Sequence, residues 1–287
     1  MERELWNSLY QVVMKLDSGY GSWKYSSGDI VVVYLWAVVH DRPTSWAAAN
    51  VNWPSKLCPK HLPSQSCLSR RLRQPGVQQL MTGVEEAWLA VVCVGQWWLK
   101  VIDAKPLAIS GISKDADAGY GRGAGGKQKG YKFYAVWGVG PLPMAWALAS
   151  MNVSEKVMAR SLIRDLPGEG YLLGDREYDV NTLYDLAHEA GYQLLTPKRK
   201  SKGLGHQRHS PYRLRGIELR QRPFGRGISR YRGQIERDFG GLTSFGGGLI
   251  CLPSWARRFT RVRNWVHAKL LINAARWFLN HSELALA

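Results

Sequence analysis

Residues 170–180 read "GYLLGDREYDV", an apolar run that stops on Asp175 and is followed at once by Glu177 and Asp179. Carboxylates are scarce in this chain, which has 22 Asp and Glu against 39 Lys and Arg, so a cluster of them at the end of an apolar run needs a reason. "GYLLGD" has the length and composition of a short buried strand. The next segment, "NTLYDLAHEAG", has helical spacing and is closed by Gly191, and "YQLLTP" reads as a second strand. Strand, helix, strand in so few residues is the signature of a parallel pair with a helical crossover.

Working outward toward the N-terminus, "SEKVMARSLIRDL" is helical with Ser154 as its cap. "YKFYAVWGV" and "MAWALASMN" flank the turn "GPLP" as a hairpin, and "GQWWLKVIDAKPLAIS" is an apolar run interrupted by Lys100. A meander followed by a parallel unit predicts an α/β fold, a mixed sheet covered by helices. Two of its strands end on an Asp: "WWLKVID" on Asp103 and "GYLLGD" on Asp175. Sites in α/β sheets lie at the carboxyl ends of parallel strands, so these two are expected side by side.

Two adjacent carboxylates repel unless a cation intervenes, which points to a divalent metal, and oxygen ligands suit Mg²⁺. A third carboxylate would complete a site for two ions about 4 Å apart, one activating water or a 3′-hydroxyl and one stabilising the leaving oxygen. Glu236 in "YRGQIERDFGG" is the candidate; Arg232, one helical turn earlier, would hold a scissile phosphate. A surface Arg232–Glu236 pair is the bland alternative. Asp179 or Asn181 reads as the cap of the following helix, and Glu177 as a solvent-facing residue beside Arg176.

The net charge is +17 and the computed pI near 9.9, which points to a polyanionic partner, nucleic acid first. The most apolar stretch, "IVVVYLWAVV" at 30–39, is about half of a membrane span, and the N-terminus has no secretory pattern, so no membrane association and a cytoplasmic location are expected. Four cysteines, at 58, 67, 93 and 251, are too sparse for a disulfide framework. Cys58, His61 and Cys67 lack the second ligand pair of a zinc finger.

Composition changes near residues 93 and 197, dividing the chain into a helical region, 1–92, and a sheet domain, 93–287. The latter carries a basic, mobile loop at 197–232 and C-terminal helices. In the first region "RPTSWAAAN", capped at Thr44 or Ser45, and "LPSQSCLSRRLRQPG" form short helices that suit a helix-turn-helix. Leu68 and Leu72 sit on the buried side of the second, and Arg70, Arg71 and Arg73 on the exposed side as candidate DNA contacts. Lys127, Lys129 and Lys132, interleaved with Tyr120 and Tyr131, suit phosphates and unstacked bases, and Lys198, Arg199 and Lys200 open the basic loop. "GRGAGG" at 121–126 fits a phosphate-binding loop by letter only, because a strand follows it and not a helix.

Asp103 in "VIDAKPL", "GGKQKGYKFYAVWG", Asp175 in "GDREYD" and Glu236 in "RGQIERDFG", in that order, resemble the bacterial insertion-sequence transposases of the DDE type over about residues 95–245. The resemblance implies an RNase H-like domain with a five-stranded sheet, the first Asp on its first strand, the second just after the fourth and the Glu on a later helix. It further implies Mg²⁺ or Mn²⁺, two ions per active site, cleavage of double-stranded DNA at terminal inverted repeats, and attack of a free 3′-OH on target DNA. A homodimer on paired ends and a place at the bacterial nucleoid are also implied. Tyr178 matches an Asp-x-x-Tyr form found in relatives, and Arg232 the Arg before the Glu. Ser229 and Thr243 stand where relatives carry Tyr and Lys. A nuclease or resolvase without strand transfer, and a non-catalytic helix-turn-helix protein, are the alternatives.

Overall fold

The computed structural model describes residues 2–19, 24–92, 98–123, 125–138, 140–199, 208–233, 237, 242–244, 247–249 and 252–281. Its contacts divide into two compact units, one of residues 1–91 with 241–287 and one of residues 92–240. The C-terminal segment, read from the sequence as part of the sheet domain, thus belongs to the helical unit.

That helical unit contains α1 (Glu2–Leu16), α2 (Ser27–Val39), α3 (Thr44–Ala47), α4 (Gln65–Arg71), α5 (Pro75–Val92) and the last helix, α10 (Phe259–Asn280). Every residue of α2 from Ile30 to Val39 is buried, so the apolar run is a central helix, opened by a reciprocal cap between Ser26 and Asp29. The stripe of α10 at Val262, Val266 and Leu270 packs, but Trp265, Leu271, Ile272 and Ala275 are buried too. A helix buried along most of its length, Asn264, His267 and Lys269 included, belongs in a helical core, and α10 lies against α1 and α2. Pro75 and Gly76 do not terminate a helix; Pro75 opens α5, where its missing N–H has no partner to lose.

The second unit is built on a six-stranded mixed sheet: β1 (Leu99–Ile109), β2 (Gly119–Gly123), β3 (Gly126–Trp137), β4 (Ala145–Ser150), β5 (Gly170–Leu173) and β6 (Tyr192–Leu195). β3 is its spine. One edge of β3 pairs antiparallel with β1; the other takes β4 along Tyr131–Val136 and the short β2 along Gly126–Gly130. β5 adds parallel to β1, and β6 parallel to β5. Five strands follow the expected meander and parallel unit. The sixth, β2, arises because "GRGAGG" continues directly into β3 as a hairpin, where a phosphate loop would start a helix.

Helices α6 (Glu155–Arg164) and α7 (Asn181–Glu189) cover one face of the sheet. Ile102, Tyr134, Val136, Leu172, Tyr192 and Leu194, alternate residues of four strands, meet Leu162, Ile163, Leu183 and Ala187 in one apolar cluster. The joint between β1 and β5 depends on Gly170, at φ +127°, where a Cβ would lie 2.1 Å from the Trp98 carbonyl oxygen. The Tyr171 N–H donates to that same oxygen at 2.6 Å.

The segment expected as a mobile loop contains two helices. Within it α8 (Pro211–Gln221) and α9 (Pro223–Ser229) each begin on a proline at the first helical turn, a start signal hidden by the surrounding Arg and Gly. Among the described residues no helix is long and apolar enough to cross a membrane.

Candidate active site

The parallel register pairs Leu99 with Tyr171 and Val101 with Leu173, and two further residues bring Asp103 level with Asp175. Gly174 confirms the continuation, since a Cβ there would stand 3.3 Å from the Ile102 side chain. Asp103 follows Ile102, which lies over the helical core, Asp175 follows Gly174 just past the end of β5, and the charge of Asp175 is felt at Asp103. Asp103 does not end its strand, as the apolar run suggested. β1 runs on to Ile109 in antiparallel pairing with β3, and Asp103 sits where the parallel pairing to β5 gives out.

Both carboxylates are fixed by local backbone. Asp103 Oδ1 accepts the Ala104 N–H at 2.8 Å, and Asp175 Oδ1 accepts the Glu177 N–H at 2.7 Å while capping a short 3₁₀ turn, Arg176–Tyr178. The Asp103 carboxyl is pushed up to about 6, first by burial and further by the charges of Asp175 and Glu155, against the pull of the Ala104 N–H and Arg232. The Tyr178 phenol is held well above its ordinary value by burial and by Glu155, Asp103 and Asp175, and its buried hydroxyl has no hydrogen-bond partner among the described residues.

Glu155 is the residue of this neighbourhood that the sequence did not single out. It opens α6 and pairs with Lys132 of β3 at 2.8 Å. The signal lay in the topology, because the helix after the meander must start at the end of the sheet where Asp103 lies. Lys132, grouped from the sequence with surface DNA contacts, is buried at 8% exposure and committed to Glu155.

The other candidates are dispersed. Lys127 is exposed on the β2–β3 hairpin near the Tyr120 ring, whereas the Lys129 ammonium donates to the Ser113 carbonyl at 2.8 Å. Arg232 is half-buried and lies within electrostatic reach of Asp103. Lys198 is half-buried; Arg199 is exposed, 3.6 Å from Glu177. In the helical unit Arg70 and Arg73 are exposed, but Arg71 is not on the surface with them. It turns inward and donates to the Tyr25 carbonyl at 3.0 Å, because its place in the last turn of α4 lies beside the buried Leu72. Glu236 and Lys200 lie outside the described residues.

Asp179 is not a helix cap. It is fully enclosed, accepts Arg213 Nε at 2.7 Å and Nη2 at 2.8 Å on its two oxygens, and accepts the Arg199 N–H at 2.8 Å. Burial opposes its ionisation, yet Arg213 and the Arg199 N–H prevail and hold it below the usual carboxylate range. This clamp ties the turn that carries Asp175 to α8.

Asp103 and Asp175 each keep one oxygen that accepts no hydrogen bond from a described residue, and the nearby donors are carboxylate and phenol oxygens. Such a set fits a hard divalent cation, which would offset both the burial and the neighbouring charge that raise Asp103. No group of three potential ligands occurs among the described residues. The family model described as a transposase DDE domain matches residues 98–271. No curated protein and no solved structure matches the chain.

Proposed function

The chain belongs to the transposase DDE-domain family, and from that premise we propose that it cuts DNA at the terminal inverted repeats of an insertion sequence and joins the freed 3′ ends to target DNA. The observation that carries this reading is the level placement of Asp103 and Asp175 on neighbouring parallel strands. Asp103, Asp175 and Glu236 would hold Mg²⁺ or Mn²⁺, two ions per site. Bound there, the cations supply charge neutralisation at the scissile phosphate and activation of the attacking oxygen.

The protein's own share is positioning. The Ala104 and Glu177 N–H groups fix one oxygen of each aspartate and leave the other for the cation. Tyr178 offers an unspent hydroxyl to water or substrate beside the pair. Arg232 brings positive charge to the same place and suits a strand phosphate. Lys127, Lys129, Lys198, Arg199 and Lys200, with Arg70 and Arg73 of the helical unit, contribute to binding double-stranded DNA, and a homodimer on paired ends would bring two such sites together.

The test uses the full chain and DNA bearing the ends that flank its reading frame. Asp175→Asn should lower Mg²⁺-dependent cleavage by about 100-fold or more, the scale of losing one charge-stabilising group, while DNA binding persists. Undiminished cleavage by this variant refutes the proposal. Cleavage by the parent without joining of a pre-cut 3′-OH end would mark a nuclease that does not transfer strands.

A further inference from the structure

At the carboxyl ends of β5 and β6 lies a small cavity of about 80 Å³, lined by Leu173, Gly174 and Leu195 from the strands and by Arg220, Ser229 and Arg232 from the segments around α8 and α9. Gly174 precedes Asp175, so the cavity adjoins the carboxylate pair. Its volume would take roughly two or three waters, which is the size of a phosphate group and too little for a nucleobase. The Ser229 hydroxyl already donates to the Gly225 carbonyl at 2.6 Å, and the two guanidinium groups remain to define the chemistry.

These two arginines stand in an unusual position. Arg220 and Arg232 are both half-buried, and neither forms an ion pair with a carboxylate among the described residues. Burial first, and the neighbouring Arg232 charge as well, hold the Arg220 guanidinium below its ordinary value. Arg213, on the same helix, shows the opposite arrangement: Asp179 grips it with both oxygens and raises it. Arg232 has the Asp103 carboxylate within electrostatic reach, whereas Arg220, partly stripped of water beside Arg232, has no carboxylate acting on it among the described residues, so an anion in the cavity would stabilise it. A phosphodiester oxygen pair is the anion that matches forked guanidinium donors in a space of this size.

We propose that Arg220 and Arg232 form a phosphodiester pocket in which Arg220 grips a backbone phosphate of the DNA strand, adjacent to the phosphate that meets Asp103 and Asp175. This assignment rests on the DNA-cutting function proposed above and adds to it a site for the strand beside the cut.

The experiment takes the full chain with Arg220→Gln and Arg220→Lys, a short fluorescent DNA duplex titrated over a salt series, and thermal melting with and without sulfate. Arg220→Gln should weaken duplex binding and reduce the slope of log affinity against log salt by about one phosphate contact, while Arg220→Lys keeps the slope. Without ligand, Arg220→Gln should melt no lower than the parent, since it removes a repulsion, and the sulfate-induced rise in melting temperature should disappear. An unchanged salt slope, a retained sulfate effect, or a lower melting temperature indicating a packing role would overturn the pocket. Cleavage by Asp175→Asn is scored separately: if it persists, the cutting function fails, whereas the salt slope and sulfate effect still decide whether the pocket exists.

Discussion

Asp103 and Asp175 each stand two residues beyond Val101 and Leu173, the last pair in the parallel register of β1 with β5, and the charge of one is felt by the other. Each aspartate is anchored through one oxygen to a nearby main-chain N–H, so their mutual repulsion is built into the backbone and is not relieved by a change of rotamer.

Burial of the Asp103 carboxyl, reinforced by that repulsion, has a pH signature. Asp103 is raised from the ordinary aspartate range to about 6, so the folded state holds its proton more tightly than the unfolded chain. Stability of the metal-free protein should therefore fall as pH rises from about 4 to about 6, by up to about 3 kcal/mol, and level off above. Chemical denaturation across this range, with and without Mg²⁺, measures it. Asp103→Asn should flatten the dependence, and Mg²⁺ should restore stability to the parent at pH 7 but not to the variant.

Tyr178→Phe removes a buried hydroxyl that has no partner among the described residues. The substitution should leave stability unchanged or raise it by about 1 kcal/mol, because the desolvated hydroxyl gains nothing in the free protein. Metal-dependent cleavage should nevertheless drop. Paired melting and cleavage assays read the two effects, and a variant that melts much lower would show that the hydroxyl supports the fold.

Asp179→Ala leaves the Arg213 guanidinium without its bidentate partner and the Arg199 N–H without its acceptor. A loss of about 3–5 kcal/mol is expected in urea denaturation, and replacing Arg213 by Leu in the same chain should recover part of it.

Gly170→Ala should fail to fold stably, since it sets a Cβ against the Trp98 carbonyl oxygen at φ +127°. The cost is on the order of 3 kcal/mol from overpacking and backbone strain together. Circular dichroism and yield of soluble protein check it; a variant as stable as the parent would mean that the β1–β5 joint tolerates displacement.

The sheet was legible from strands whose apolar letters are nearly continuous, such as "GYLL" and "YQLL", because these strands are largely buried and helices follow at crossover spacing. Asp103 and Asp175 were legible for the same reason, as carboxylates ending or interrupting apolar runs. What escaped the sequence were relations between distant residues. Nothing near Asp179 announces Arg213, and nothing near Lys132 announces Glu155; both pairs form only when separate elements meet. Arg71 looked like its neighbours because a helical wheel cannot show that the Tyr25 carbonyl waits on its inner side. Helices α8 and α9 were hidden by composition, since two prolines amid Arg and Gly look like loop until their place at N1 is seen.

The strand that delivers Asp175 is only four residues long, Gly170–Leu173, and strand side chains alternate between faces. A gene copy that lost or gained one codon there would still encode every candidate residue of the site, yet its second aspartate would sit one register position away from the first. On the function proposed above, a one-residue frame-preserving indel in that strand is expected to be as disabling as loss of the aspartate itself, and a motif search over such copies would count the dead among the living.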